Sequence, residues 1–419
     1  MKIWSNDIYN IARSLMIVAD NESVIVGAPP LSLQEQLHAS KLVSQLLTLL
    51  VALPDRMQLS NFSYATQMLK IPAALANIIL CQEQHLTSKV FARADLVRER
   101  GQWKLLEMNV GSSVGGMFYS SLPRLSNLAQ SYDTLKLWGE LITHNYCQNI
   151  QHIAIVEDKT LLGELRPQLE VLANELQQQS NLNCSVVSAD ELWLEENQLF
   201  CPNGKIDCIY RFFNERDVIN DPESYSAVMT AIKHEWVSLP MGFSMNLLSN
   251  KGTLALLYQL LETSLLTSDE KCLVKSIVPE TLFVSPDTLQ QLIAEPDKWI
   301  LKPTDSACGN GIMYGGEMQS KIWRTQLEQI CRSPETPYIA QRFCEPEYYP
   351  VSFSNGGSSN FTENASVVWG IYIYGESYLG TLVRAKSSQH TVVINHAAGA
   401  SVGPLNDYHL DRFSTEESA

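Results

Sequence analysis

Lys302 closes an apolar run and opens the segment Lys302-Pro303-Thr304-Asp305-Ser306-Ala307-Cys308-Gly309-Asn310-Gly311. A lysine at a strand end followed by small residues can hold phosphate: backbone N–H groups approach the oxygens while the ammonium supplies a point charge. A hairpin turn beside a surface lysine would look the same. Glu107-Met108-Asn109 is a second such segment, with Arg93 and Asp95 on the run before it. In a strand Glu107 and Asn109 point to one face, so two hard oxygen ligands can meet a Mg²⁺ that also binds phosphates. A solvated strand face is the plainer alternative. The third segment is Gly380-Thr381-Leu382-Val383-Arg384-Ala385-Lys386, followed by Ile394-Asn395 and a small-residue run over 397–403. Arg384 and Lys386 share a strand face and could hold phosphate and carboxylate oxygens in a transition state, or be a solvated basic pair. Within Tyr210-Arg211-Phe212-Phe213-Asn214-Glu215-Arg216, Arg211 could bind a substrate carboxylate, or could be a structural ion-pair partner among core aromatics.

These segments need elements to carry them. At 419 residues the chain is too long for one ordinary core, so two or three subdomains around a cleft are expected. The expected divisions are 1–150, a helical region plus one half of the site; 151–240, a small α/β unit that sets substrate choice; and 241–419, the phosphate-binding half. Ser32 with Glu35 forms a capping box ahead of an apolar-periodic helix over 33–53, stopped by Pro54. Residues 90–110 read as a hairpin turning at 98–102 around Gly101. HIAIVED is a strand, followed by a helical stretch through Gln179, and CSVVSADELW and IDCIYRFF read as further strands. SNKGTLALLYQLLETSLL reads as a capped helix, VPETLFVS and KWILKP as strands, SPDTLQQLIAE as a short helix, and WGIYIYGESYLGTLVRAK as strand-turn-strand. Residues 352–363, rich in Ser, Gly and Asn, read as an exposed flexible loop.

Composition narrows the function. With 45% hydrophobic and 18% charged residues the chain is an ordinary globular protein without a disordered tract. The formal charge of -15, from 30 basic and 45 acidic side chains, would repel a phosphodiester backbone, so nucleic acid is not an expected partner. Any phosphate site must then be a local cluster of Lys, Arg and backbone N–H groups. Nine scattered cysteines, with no C-x-x-C and no histidine at zinc spacing, fit a reduced cytoplasm. The first twenty residues do not read as a signal peptide. The longest apolar stretch, 42–53, is interrupted by Ser44, Gln45 and Thr48, and no membrane role is expected.

Taken together the segments resemble the ATP-grasp superfamily, in particular its circularly permuted branch that includes eukaryotic-type glutathione synthetases, glutathionylspermidine synthetase-like enzymes and natural-product amino-acid ligases. The permutation lies in the order: Glu107-Met108-Asn109 precedes Lys251 and Lys302, whereas in ordinary ATP-grasp enzymes the metal-binding E-x-N follows the nucleotide-binding lysines. RADLV, LLEMN with SSVGG, SNKGTLALL, VPETLFV, ILKPTDSACGNGI, YIAQRF and WGIYIYGESYLGTLVRAK carry the resemblance over residues 93–404.

It implies an α/β ATP-grasp fold with a small Rossmann-like substrate subdomain, and a ligase using ATP and Mg²⁺ to join a small carboxylate to an amine through an acyl phosphate. Lys251 and Lys302 then look like the lysines that hold ATP phosphates, Gly309 and Gly311 like the glycine-rich loop, and Gln341, Arg342 and Phe343 like the hinge strand against adenine. Glu107 and Asn109 look like Mg²⁺ ligands and Arg384 like the arginine that stabilises the acyl phosphate. Arg93 with Ser113 looks like a substrate-side contact, with Arg211, Lys386 and Asn395 as further candidates. The glutathione synthetase pattern has a metal-binding Glu where this chain has Ser306, so Asp305 is expected to take over, and glutathione is not assigned as product. A carrier-protein thiol as acceptor, a phosphotransferase that stops at the phosphorylated substrate, a homodimeric state, and a non-catalytic nucleotide-binding module remain open.

Overall fold

The computed structural model describes residues 5–19, 22–82, 85–127, 132–306, 309–333, 336–356, 360–387 and 394–405, so Ala307 and Cys308 of the small-residue loop lie outside the described residues. Strand β1 (Val24–Gly27) is followed by the helix Leu33–Arg56. Both halves of the Ser32/Glu35 capping box form. The helix runs three residues past the expected stop, because Pro54 lacks an N–H but does not prevent Met57 N–H from bonding to Leu53 O at 2.9 Å. By length and composition it could cross a membrane, yet Val43, Leu46, Leu47, Leu50 and Leu53 are buried in the core. Ser44 Oγ donates to Gly375 O at 2.7 Å, and Arg56 binds Glu270 with two bonds of 2.7 and 2.8 Å. The hairpin β2 (Phe91–Glu99) and β3 (Gln102–Val110) turns at Arg100 and Gly101, whose φ values of 50° and 76° are those of a two-residue hairpin.

The middle unit is a parallel sheet ordered β5-β4-β9, formed by β4 (His152–Glu157), β5 (Asn183–Ser188) and β9 (Cys208–Arg211), with the helix Lys159–Gln179 as crossover. The run after Cys184 is not one strand. A capping box of Ser188 and Glu191 turns it at Ala189–Glu191, and a meander of β6 (Trp193–Glu195), β7 (Gln198–Cys201) and β8 (Gly204–Ile206) follows. The later helix is shorter than expected: Gly252–Leu260, started by Asn250, whose Oδ1 accepts from Gly252 N at 2.9 Å.

A four-stranded antiparallel sheet, ordered β10-β13-β11-β12, contains β10 (Thr281–Phe283), β11 (Trp299–Pro303), β12 (Met313–Tyr314) and β13 (Tyr338–Arg342). Helices Leu289–Ala294 and Ser320–Arg332 cover it; Trp323 packs with Trp299 and Leu301 and donates to Leu292 O at 2.9 Å.

The remaining strands, β14 (Tyr348–Ser354), β15 (Phe361–Tyr374), β16 (Ser377–Lys386) and β17 (Ser401–Pro404), join the first three in the order β14-β1-β17-β16-β15-β2-β3. β15 is long enough to take two partners on one side. Its first half pairs with β14 and its second half with β2, so β14, β1, β17, β16 and β15 close into a ring. This corrects the loop expected at 352–363: Ser352 pairs with Thr362 and Phe353 with Phe361, because the ladder satisfies backbone groups that the polar side chains leave free.

Glu157 ends β4 with 4% of its surface exposed, and burial, with Asp217 and Asp158 nearby, pushes its carboxyl up to about 7. A carboxyl raised in the folded state stabilises least when ionised, so stability falls as pH rises from about 4.5 to about 7. Glu157→Gln is expected to be more stable than the parent at pH 8, by up to roughly 3 kcal/mol, and to lose this advantage at pH 4.5, as thermal denaturation at the two pH values would show.

Candidate active site

Strand alternation assembles the site. Across the hairpin Arg93 pairs with Asn109 and Asp95 with Glu107; across β15, Asp95 pairs with Gly370, Tyr372 with Arg93, and Val368 with Arg384. All these residues therefore share one face of the large sheet. Asp95, 2% exposed, accepts from Arg93 Nε at 2.8 Å and Nη2 at 3.2 Å, and from Arg384 Nη2 at 2.7 Å. Arg93 Nη1 and the Tyr372 hydroxyl both reach Gly115 O at 2.9 Å, tying the loop that carries Ser113 to this face. Burial by itself would lower the Arg93 guanidinium, but Asp95 and Tyr372 hold it above its ordinary value.

The smaller sheet supplies the opposite wall. Lys302, 5% exposed, donates to Gln341 Oε1 at 2.7 Å within its own sheet and to Leu106 O at 3.0 Å on β3. Burial pushes its ammonium down to about 8, with Glu107 opposing the shift. Lys251, just before the helix Gly252–Leu260, donates to Ser306 O at 2.6 Å and lies 3.3 Å from Glu107 Oε2. Glu107 is thus pulled between two lysines from different elements. Burial would raise its carboxyl, but Lys251, its contact with Asp95, Lys302 and Arg384 overcome that and hold it well below the ordinary carboxylate range. Asn109 Nδ2 sits 3.5 Å from Glu107 Oε1.

A cleft between the sheets is lined by the polar side chains of Asp95, Glu107, Lys302, Gln341, Arg384 and Asn395. Leu106, Ile300, Ile312, Phe343, Val368 and Ile394 supply apolar lining to the same cleft. Gly309 and Arg342 also border it, and the Phe343 and Tyr314 rings lie 4.6 Å apart. Gly309 and Gly311 have φ of 76° and 73°; a Cβ on Gly311 would come within 2.8 Å of Pro303 Cγ.

Other expected residues sit elsewhere. Asp305 is ion-paired with Arg216, so its carboxylate is engaged by the middle unit. Lys386 donates to Ala398 O at 2.5 Å and does not line the cleft. Arg211 is fully buried: Nη1 donates to Phe213 O at 2.6 Å, and the guanidinium lies 4.1 Å from the centre of the Phe243 ring. Ser113 is half-buried on its loop. Asp95 has the opposite history. It was visible two positions after Arg93, on the same strand face, yet its role as the acceptor for two arginines depends on Arg384, which lies 289 residues away.

No protein-family model matches the chain, and no curated protein matches its sequence. Among solved structures it is similar to a glutathione synthetase-like effector from Globodera pallida, with a TM-score of 0.60 at 12% identity over 95% of each chain. The fold is ATP-grasp. A provisionally assigned gamma-glutamylcysteine synthetase from Methylobacillus flagellatus KT matches at TM-score 0.48 and 12% identity over 89% of this chain and 87% of its own. D-alanyl-alanine synthetase A from Vibrio cholerae matches at 0.30 and 14% over 60% and 78%. In chain order the strand bearing Glu107, β3, comes before the strand bearing Lys302, β11.

Glu107 is the anion that ion-pairs with Lys251 and opposes the downward shift of the Lys302 ammonium. Glu107→Gln is expected to cost about 2 kcal/mol at pH 7, between the exposed and buried limits for an ion pair. The loss leaves Lys302 with a folded value still further below its unfolded 10.5, a penalty present while the lysine is charged and relieved as pH rises. Denaturant titrations should therefore show the deficit shrinking between pH 7 and pH 10.

Proposed function

We propose that the chain is an ATP-dependent carboxylate–amine ligase. The observation that carries this reading is that Glu107 lies 3.3 Å from Lys251 and within the field of Lys302, at a cleft that Glu107, Lys302, Asp95 and Arg384 all line, with Arg384 bonded to Asp95. The lysines would hold the phosphates as point charges, and the apolar lining, Ile300 and Phe343 among it, would take the base. Glu107 and Asn109, one carboxylate and one amide oxygen on a single strand face, fit Mg²⁺, which takes most of its other ligands from phosphate and water. When bound, the cation neutralises charge on phosphate oxygens. Asp305 would serve only after leaving Arg216.

In the first step a carboxylate oxygen bonds to the γ-phosphorus of ATP as the bond to ADP breaks. The amine then adds to the acyl phosphate carbonyl, inorganic phosphate leaves, and the nitrogen gives up a proton to solvent. Arg384 would stabilise the transferring oxygens, and Arg93, held by Asp95, the substrate side. Closure of the loop bearing Gly309 and Gly311 would exclude water from the acyl phosphate. The shared fold with a glutathione synthetase-like protein agrees with this chemistry, and the substrates proposed are amino acids or small peptides.

Incubation with ATP, Mg²⁺ and pooled amino acids should release ADP and yield a mass equal to two substrates less water. Lys302→Met and Arg384→Ala are each expected to lower product formation by about 10²-fold or more with unchanged circular dichroism. ADP with only a phosphorylated acid would indicate a phosphotransferase, and aminoacylation of an added carrier protein a thiol acceptor. ATP binding without turnover under all these conditions would indicate a non-catalytic module.

A further inference from the structure

We propose that Asp95 is the positioning residue that presents Arg384 and Arg93 to the reacting groups, a role that rests on the ligase reading above. Its carboxylate accepts three N–H bonds of 2.7 to 3.2 Å from two guanidiniums that enter from different strands. Arg93 is on the same strand; Arg384 is on β16, two strands away, and reaches across β15. The crossing point is Gly370, opposite Asp95, where a Cβ would stand 2.7 Å from Leu382 Cγ and 3.1 Å from Arg93 Cδ. The missing side chain leaves room for the Arg93 stem to lie over the strand.

The sheet does not need this carboxylate to form. Backbone ladders already join β2 to β15 from Phe91 to Leu96, and β15 to β16 from Ser366 to Tyr374. A buried ion cluster adds little net stability, because desolvation offsets the attraction. Orientation is what it supplies. A guanidinium donates in a fixed planar fork, so an acceptor on one edge decides where the other N–H groups point. With Asp95 on Arg384 Nη2, the remaining donors of a residue only 7% exposed are held in one plane at the wall of the cleft. The same carboxylate sets Arg93, which holds Gly115 O and hence the loop after β3. One buried anion thus aligns a phosphate-side and a substrate-side arginine together.

Asp95→Asn removes the charge, and Asp95→Glu keeps the charge but moves it by one methylene, so the second variant folds if the first does not. Both are expected to lower kcat for ADP release by about 10²-fold per folded molecule, the cost of a misplacement near 1 Å, with KM for ATP changed less than about threefold. Guanidinium ion added to Arg384→Ala should restore activity at least tenfold, on the order of the loss regained when a positioned cation is returned. The same addition to Asp95→Asn/Arg384→Ala should restore none. A purely structural ion pair would lower the melting temperature and leave kcat and the rescue intact, and that result overturns the proposal. Failure of the ligase reading is seen separately, in the parent protein: absence of ATP turnover there, with any acceptor, removes both.

Discussion

Burial of charge in the seam between two sheets is the constraint on which the structure depends. Lys251, Lys302, Arg93 and Arg384 stand there against Asp95 and Glu107, and five of the six side chains are less than 15% exposed. None could be buried alone, since an isolated ion in a low-dielectric setting costs several kcal/mol. Each cation therefore has an anion or carbonyl within hydrogen-bond reach: Asp95 is shared by Arg93 and Arg384, Glu107 pairs with Lys251, and Lys302 donates to Leu106 O. The balance remains positive. In a chain with a net charge of -15, that local excess is a place where the field favours a polyanion.

The architecture follows from the need to bring those groups from separate parts of the chain to one face. β15 takes β14 along its first half and β2 along its second, so one strand both closes the ring and carries the hairpin with Asp95 and Glu107. Alternation along paired strands then sets the face, and the bulge after Asp95 ends the strict pairing just beyond the site. Lys302 meets this face because its ammonium donates to the carbonyl of Leu106 on β3. A one-residue slip in β2 or β11 would turn the charges into the apolar core.

What could be read in advance was what local periodicity encodes. Glu107 with Asn109, Arg384, and Lys302 at a strand end are short-range patterns; Glu107, Arg384 and Lys302 line one cleft, and Asn109 stands beside Glu107. The helix from Leu33 and the hairpin around Gly101 are equally local, each announced by its cap or turn. What could not be read were the partners. Asp305 is next to Ser306, where the glutathione synthetase pattern has its metal-binding Glu, and that made it the expected ligand, but Arg216, from the middle unit, holds it. Arg211 sat in an aromatic segment that fitted a core as well as a binding site, and its guanidinium lies fully buried over Phe243. Residues 352–363 had the composition of a loop, and only the pairing of β14 with β15 makes 352–354 and 361–363 strand.

The engagement of Asp305 bears on how metal and nucleotide would enter. Among the described residues no group of three His, Cys, Asp or Glu is placed to hold a metal ion. Glu107 with Asn109 offers one carboxylate and one amide, and the carboxylate is already shared with Lys251 at 3.3 Å. Mg²⁺ dehydrates reluctantly and demands six oxygens, so such a pair alone gives weak binding. In the ligase reading a nucleotide would change both sides of that balance. Its phosphates would draw Lys251 away from Glu107, freeing the carboxylate, and would supply the missing oxygens. In the ligase reading each ligand therefore raises the affinity for the other by the same factor, because linkage is reciprocal. In that reading the ion pair between Lys251 and Glu107 would be the resting form of that exchange: it would keep the buried ammonium and its carboxylate partner satisfied until phosphate and metal replaced them together.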